Sequence, residues 1–208
     1  MENEKLLVCV VRSNEFLKSQ YNNIMKKLLI IAALLVVFTT ACAQGNKTKE
    51  NKEMKTLVAY FSATGTTEKI AKKLANVTGA DLYQIIPEER YTDEDLDWRN
   101  KKSRSSVEMM DKSSRPAFIK DLKNAQSYDV IYIGFPIWWY TAPTIINTFL
   151  DTYDFSGKTV IFFATSGSSG IDGADKQFQK QYPNINWKPG KILNGATEDD
   201  IKEWIENL

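Results

Sequence analysis

A chain of 208 residues, 43% hydrophobic and 12% aromatic, holds enough apolar material for one well-formed core with appendages, and its net charge of +1 divides into +4 over residues 1–55 and −3 over residues 56–208. That mildly acidic larger part offers no basic stripe for nucleic acid, and it contains no histidine and neither of the two cysteines, Cys9 and Cys42. Ser-His-Asp and Cys-His catalysis and zinc sites with His or Cys ligands are thereby excluded, so redox chemistry there needs an organic cofactor.

At the front of the chain, Met25-Lys26-Lys27 precedes the apolar run Leu28–Phe38, the short basic start and short hydrophobic core of a secretory signal. Residues 1–24 then read as a misassigned upstream extension, 25–42 as signal peptide and processing box, and 43–55 as a polar, flexible tether. Thr39-Thr40-Ala41-Cys42 resembles a bacterial lipoprotein box with Cys42 as the lipid-bearing residue, while Ala41-Cys42-Ala43 also fits ordinary signal cleavage. Twin arginines are missing, which favours export of the unfolded chain. The expectation is a protein of the bacterial cell envelope, outside the cytoplasm, held to the membrane by lipid at Cys42.

Residues 56–208 form the globular part. A first strand over Thr56–Phe61 runs into Ser62-Ala63-Thr64-Gly65-Thr66-Thr67 and then a helix-like stretch from Glu68 to Asn76. Free amides and the positive dipole end of a helix favour an anion, and four hydroxyls add donors, so the loop is a candidate phosphate cradle. It has no lysine, which argues against a nucleoside triphosphatase P-loop. The local alternative is a capped turn, with Ser62 or Thr64 satisfying the helix start. Ser62, Thr64, Gly65 and Thr67 match the Ser/Thr-x-Thr-Gly-x-Thr pattern around the FMN phosphate in flavodoxins, and the chain here resembles that family.

Further along, Asp81–Ile86 reads as an edge strand stopped by Pro87, and Asp129–Gly134 and Thr159–Ala164 as strands covered on both faces. A short last strand is expected at Ile192-Leu193, and helices at 143–152, 173–182 and 197–207, the last capped by Thr197. Residues 87–117 are highly charged. Leu96 to Asp111 is expected to form an amphipathic surface helix whose apolar residues cap the sheet, with Trp98, Arg99 and Arg104 as candidates to border a site. The alternation predicts an α/β fold, a flavodoxin-like doubly wound five-stranded parallel sheet of order 2-1-3-4-5, with ligand chemistry beyond the carboxyl ends of strands one, three and four.

The loops there are unusual. After the third strand come Pro136, Ile137, Trp138, Trp139 and Tyr140, and after the fourth Thr165, Ser166, Gly167, Ser168, Ser169 and Gly170. Aromatic rings suit stacking on a flavin, and small residues let backbone approach a flat ring closely. The resemblance to flavodoxin-type proteins spans residues 56–208, and it implies FMN with its phosphate in the first loop and its ring between the other two. Electron-carrying flavodoxins usually place glycine after the stacking aromatic. Trp139 stands there in this chain, and its bulk is expected to resist the backbone conformation that glycine permits. The third loop lacks the family's common tyrosine, which leaves one flavin face open to an aromatic substrate. The resemblance thus implies an FMN-binding electron-transfer protein or oxidoreductase. The alternatives are a two-electron FMN-dependent reductase of quinone-like acceptors and a flavin-free flavodoxin-fold binding lipoprotein. Neither a metal nor a catalytic side chain is implied, and the redox partners are not specified.

Overall fold

The computed structural model describes residues 54–208, so the upstream extension, the signal and lipid box, and the tether up to residue 53 lie outside the described residues. Strands β1 (Thr56–Tyr60), β2 (Asp81–Gln84), β3 (Val130–Pro136), β4 (Thr159–Thr165) and β5 (Asn186–Ile192) pair in parallel in the expected order β2-β1-β3-β4-β5. Helices α1 (Thr66–Thr78), α3 (Thr144–Thr152), α4 (Asp172–Gln181) and α5 (Glu198–Glu206) cover the sheet, and α2 (Arg104–Met110) lies in the long connection from β2 to β3.

Alternation along the central strands explains the two-faced core. Leu57, Ala59, Ile131, Ile133, Phe135, Val160 and Phe162 point to one side, where Ile145, Ile146 and Phe149 of α3 and Ala174 and Phe178 of α4 meet them. Val58, Tyr60, Tyr132, Ile161 and Phe163 point to the other, against Ile70, Ala71 and Leu74 of α1 and Ile201 and Trp204 of α5. Strands buried on both faces need no polar alternation, which is why β1, β3 and β4 are continuous apolar runs. The predicted Thr197 cap is present as a capping box: Asp200 N–H donates to Thr197 Oγ1 at 3.2 Å, and Thr197 N–H to Asp200 Oδ2 at 2.8 Å.

Two expectations need correction. The last strand is longer than Ile192-Leu193, because Asn186–Ile192 pairs with β4 despite Pro189, Gly190 and two lysines. An edge strand tolerates proline, and the register shifts beside Ile161 and Phe163, so the Gly190 N–H donates to Asp175 Oδ2 of α4 at 2.9 Å. The helix expected over Leu96–Asp111 shrinks to Arg104–Met110. In residues 96–103 side chains capture the backbone instead: Asp97 Oδ1 accepts from Arg99 N–H, Asn100 Oδ1 from Lys102 N–H, and Ser103 Oγ caps α2. Nor does α2 cap the sheet, since Val107 and Met110 are exposed and Ser105 and Ser106 are its buried residues.

Burial raises the Asp175 pKa, against the lowering effect of the Gly190 N–H and with a smaller contribution from Asp172. In the unfolded chain the group titrates near the ordinary value of about 4. Between that value and its raised folded value the native state binds more protons, so stability falls as pH rises through the window. Asp175→Asn is expected to remove this loss. The difference in thermal midpoint, variant minus parent, should increase between about pH 4 and pH 7; a difference that does not change with pH would reject the assignment.

Candidate functional site

α1 begins in an unusual way. Its N-cap is Gly65 at φ 83, and no side chain hydrogen-bonds to the helix start, so neither Ser62 nor Thr64 serves as the expected alternative cap. The first helical bond is Lys69 N–H to Gly65 O at 3.3 Å, leaving the amides of Thr66, Thr67 and Glu68 without an acceptor among the described residues. The left-handed Gly65 has nothing within 4 Å of where a Cβ would be, so its role is backbone conformation rather than clearance. Thr64 and Thr66 hydroxyls lie 3.3 Å apart on the exposed side of the loop. The Glu68 carboxylate nearby is engaged by Lys72 at 2.6 Å, which reduces its repulsion of an anion.

Thr67 is different, being buried and paired through Oγ1 with Thr165 Oγ1 at 2.8 Å. That contact fastens the first loop to the third. Ile137 N–H donates to Thr165 O at 2.8 Å and fastens the second loop to the same residue. Asn194 braces the third loop on its far side, with its Oδ1 accepting from Ser166 N–H at 2.8 Å and its Nδ2 donating to Ser166 O.

A cleft of about 640 Å³ opens between the second and third loops, lined by Ile137, Trp138, Trp139 and Tyr140 and by Ser166, Gly167, Ser168 and Ser169. Ser62–Thr67, Pro136, Thr165 and Gly170 do not line this cleft; Thr165 connects to it through its bonds to Thr67 and Ile137. The remaining wall is formed by the β2–β3 connection through Leu96, Trp98 and Ser105. Of these, Trp98 stood out in the sequence as an aromatic in a charged stretch. Leu96 and Ser105 carry no local signal, because only the tertiary fold brings them to the cleft.

Trp138 is half-buried and held edge-on by Phe61 and Tyr91, with centroids 5.6 and 5.4 Å away. Tyr91 itself is fixed by Glu108, to which its hydroxyl donates, and by the Arg104 guanidinium 4.1 Å above its ring. Burial, followed by the bond to Glu108, pushes the Tyr91 phenol above its ordinary range and keeps it a donor. Arg104 Nε in turn donates to Glu108 at 2.7 Å, so Arg104 supports the wall from behind.

The expectation that Trp139 resists a left-handed backbone is corrected: its φ is 44, and Tyr140 follows at φ 68. Trp138 and Thr141 exchange two backbone hydrogen bonds, at 2.9 and 3.0 Å, closing a two-residue turn that demands positive φ at both central positions. For a residue with a Cβ this conformation costs about 1–2 kcal/mol. Gly173 of α4 helps hold the turn, since a Cβ there would overlap the Tyr140 carbonyl oxygen. Thr141 Oγ1 adds a bond to Gln177 Oε1 at 3.0 Å. At the start of α3, directly after this loop, Thr144 Oγ1 is buried and without a hydrogen-bond partner among the described residues.

The flavodoxin family model matches residues 55–208. A crystal structure from Bacteroides eggerthii, classed as a flavoprotein, is 52% identical with a TM-score of 0.72, covering 74% of this chain and 96% of that one. One from Bacteroides uniformis, classed likewise, is 57% identical with a TM-score of 0.72, covering 74% and 98%. A Lactobacillus acidophilus flavoprotein in complex with FMN shares the fold at 23% identity and a TM-score of 0.60, covering 73% of this chain and 99% of its own. No curated protein matches the chain. With the family match running from the first strand to the C-terminal residue and two related structures above half identical, the chain belongs to the flavodoxin family.

Proposed function

We propose that this protein binds FMN and works as an electron-transfer protein or FMN-dependent oxidoreductase, exported and lipid-anchored. The observation that carries the reading is the start of α1, where free amides and the Thr64 and Thr66 hydroxyls surround a left-handed Gly65 that no side chain caps. A phosphate there meets the positive helix end and several donors at once. Ser62–Thr67 would hold the phosphate, Thr67 through its backbone, while Pro136–Tyr140 and Thr165–Gly170 would flank the flavin ring. When bound, FMN supplies the electron transfer; the chain binds it, orients it and limits water access. Trp138, locked by Phe61 and Tyr91, gives the ring a rigid wall. The wide cleft with its exposed outer aromatics favours the oxidoreductase form of this reading over a pure carrier.

The test is a titration of the purified protein with FMN and with riboflavin, followed by flavin fluorescence. Saturation is expected at one equivalent of FMN, at least about tenfold tighter than riboflavin. A protein that binds neither ligand would reject the proposal and leave a flavin-free binding role.

Anchoring at Cys42 is supported by the sequence around it, a short basic and apolar leader ending in Thr-Thr-Ala-Cys. Cys42→Ser is expected to move the protein from the membrane fraction to the soluble fraction of the producing cell. An unchanged membrane fraction would reject the anchor.

A further inference from the structure

Three rings in mutual edge contact form the support of the inner wall: Phe61 with Trp138 at 5.6 Å, Tyr91 with Trp138 at 5.4 Å, and Phe61 with Tyr91 at 5.7 Å between centroids. Phe61 is fixed by the fold itself, since it is fully buried and its N–H donates to Gly134 O at 2.9 Å. Tyr91 has no such support. It lies outside every helix and strand, half-buried in the β2–β3 connection. Its ring is oriented from α2, where Glu108 Oε2 accepts from the Tyr91 hydroxyl and the Arg104 guanidinium lies 4.1 Å above the ring. Arg104 donates through Nε to Glu108 Oε1 at 2.7 Å and through Nη1 to Glu89 O at 2.8 Å.

Helix stability does not explain the Arg104–Glu108 pair. Arg104 is the first residue of α2 and Glu108 lies in its last turn, so each charge sits at the end that the helix dipole disfavours. A carboxylate four residues after its cation is also the weaker order of the two. The side chains are only 22% and 12% exposed, where an ion pair loses to desolvation much of what it gains in attraction. The two carboxylate oxygens divide their work: one holds Arg104, the other holds Tyr91, and the line of contacts from Tyr91 ends on Trp138.

We propose that Glu108, acting through Tyr91, is a positioning residue of the cleft: it fixes the Trp138 ring in the attitude in which it flanks the flavin. The inference rests on the reading that the cleft takes FMN. It gives α2, which lies outside the three loops, a part in the affinity for the ring and none in the affinity for the phosphate.

The purified protein is labelled with 5-fluorotryptophan and its fluorine NMR spectrum recorded without flavin, the Trp138 signal being assigned by its loss in Trp138→Phe. FMN and riboflavin are then titrated in parallel. Tyr91→Phe, which keeps the ring and removes the hydroxyl, and Glu108→Ala should each move the Trp138 signal toward that of Trp98, which is 65% exposed. The signals of Trp187 and Trp204 should stay in place, whereas a general loosening of the fold would move them too. Both variants should weaken FMN and riboflavin by the same factor, about threefold to tenfold, because the ring contact is disturbed and the phosphate contact is not. Glu108→Gln still accepts from Tyr91 and should remain within about twofold of the parent. In the Trp138→Phe background Glu108→Ala should add no further loss, as expected of residues acting in series. Tyr91→Phe leaves the Arg104–Glu108 pair intact, so it decides the matter should Glu108→Ala unfold. A Trp138 signal that stays in place, or one that moves while both flavin affinities are unchanged, would overturn the proposal and leave the FMN reading intact. A loss confined to FMN, or additive losses in the Trp138→Phe background, would overturn it likewise. If the parent binds neither flavin and the Trp138 signal still depends on Glu108, the FMN reading fails and the hold of Glu108 on the Trp138 ring stands.

Discussion

Replacing Thr64 and Thr66 together with alanine is expected to weaken FMN binding by about 10²- to 10⁴-fold and riboflavin binding by much less. A hydrogen bond to a charged group contributes about 1.5–3 kcal/mol, and two of them at about 1.4 kcal/mol per tenfold give that range. Both hydroxyls are exposed and bonded only to each other, so their removal leaves the fold unchanged. Thr67 is the poorer choice although it lies in the same motif, because its hydroxyl is buried against Thr165 and its loss would also loosen the third loop. The measurement is a parallel fluorescence titration of the two flavins, with thermal unfolding as a control. Equal weakening of both ligands would place the phosphate elsewhere.

Gly134→Ala is expected to destabilise the protein by about 3 kcal/mol, the upper part of the range for overpacking a core. Gly134 pairs in register with Phe163 across β3 and β4, and a Cβ at Gly134 would stand 2.7 Å from Phe163 Cε1 and closer still to Cε2 and Cζ. The Phe163 ring is fully buried, and Gly134 is flanked by paired strands on both sides, so neither can move aside cheaply. Denaturant unfolding measures the effect. Adding Phe163→Leu to the same variant should restore part of the loss, and a variant as stable as the parent would refute the packing argument.

The sheet was legible where burial on both faces suppresses every competing signal. Val130–Phe135 and Val160–Ala164 are apolar without interruption, and their short length and wealth of β-branched and aromatic residues favour a strand over a buried helix. Asn186–Ile192 was not legible, because an edge strand carrying Pro189, Gly190 and lysines has the composition of a loop, and only its pairing with β4 makes it a strand. Residues 96–103 misled in the opposite direction: their apolar spacing fits a helix, but Asp97, Asn100 and Ser103 hold the backbone in turns.

The candidate site divides in the same way. Loops 62–67, 136–140 and 165–170 follow strand ends directly, so composition and topology together bring them to one edge. The third wall, at Leu96, Trp98 and Ser105, depends on a long excursion whose path no local pattern encodes. Trp139 was misjudged because propensity disfavours tryptophan at positive φ. Two backbone hydrogen bonds across the turn, with Gly173 leaving room for the Tyr140 carbonyl, prevail over that preference.

That excursion begins and ends at one point. Pro87 and Phe118 form an antiparallel bridge, with Glu88 N–H donating to Ala117 O at 3.0 Å and Ile119 N–H to Ile86 O at 2.8 Å. Phe118 is fully buried beneath it, in contact with Phe149 at a centroid distance of 5.9 Å. The segment from 88 to 117 is therefore a closed cassette, pinned at its neck and independent of the strand pairing on either side. For such a loop the entropy of closure grows only logarithmically, and doubling its length costs about 0.6 kcal/mol. Substitutions, insertions and deletions within it, away from Tyr91, Arg104 and Glu108, can reshape the outer wall of the cleft while the sheet and the start of α1 keep their geometry. What the cleft admits can thus diverge at small cost to folding, in a part of the chain separate from the sheet and from the loop at the start of α1.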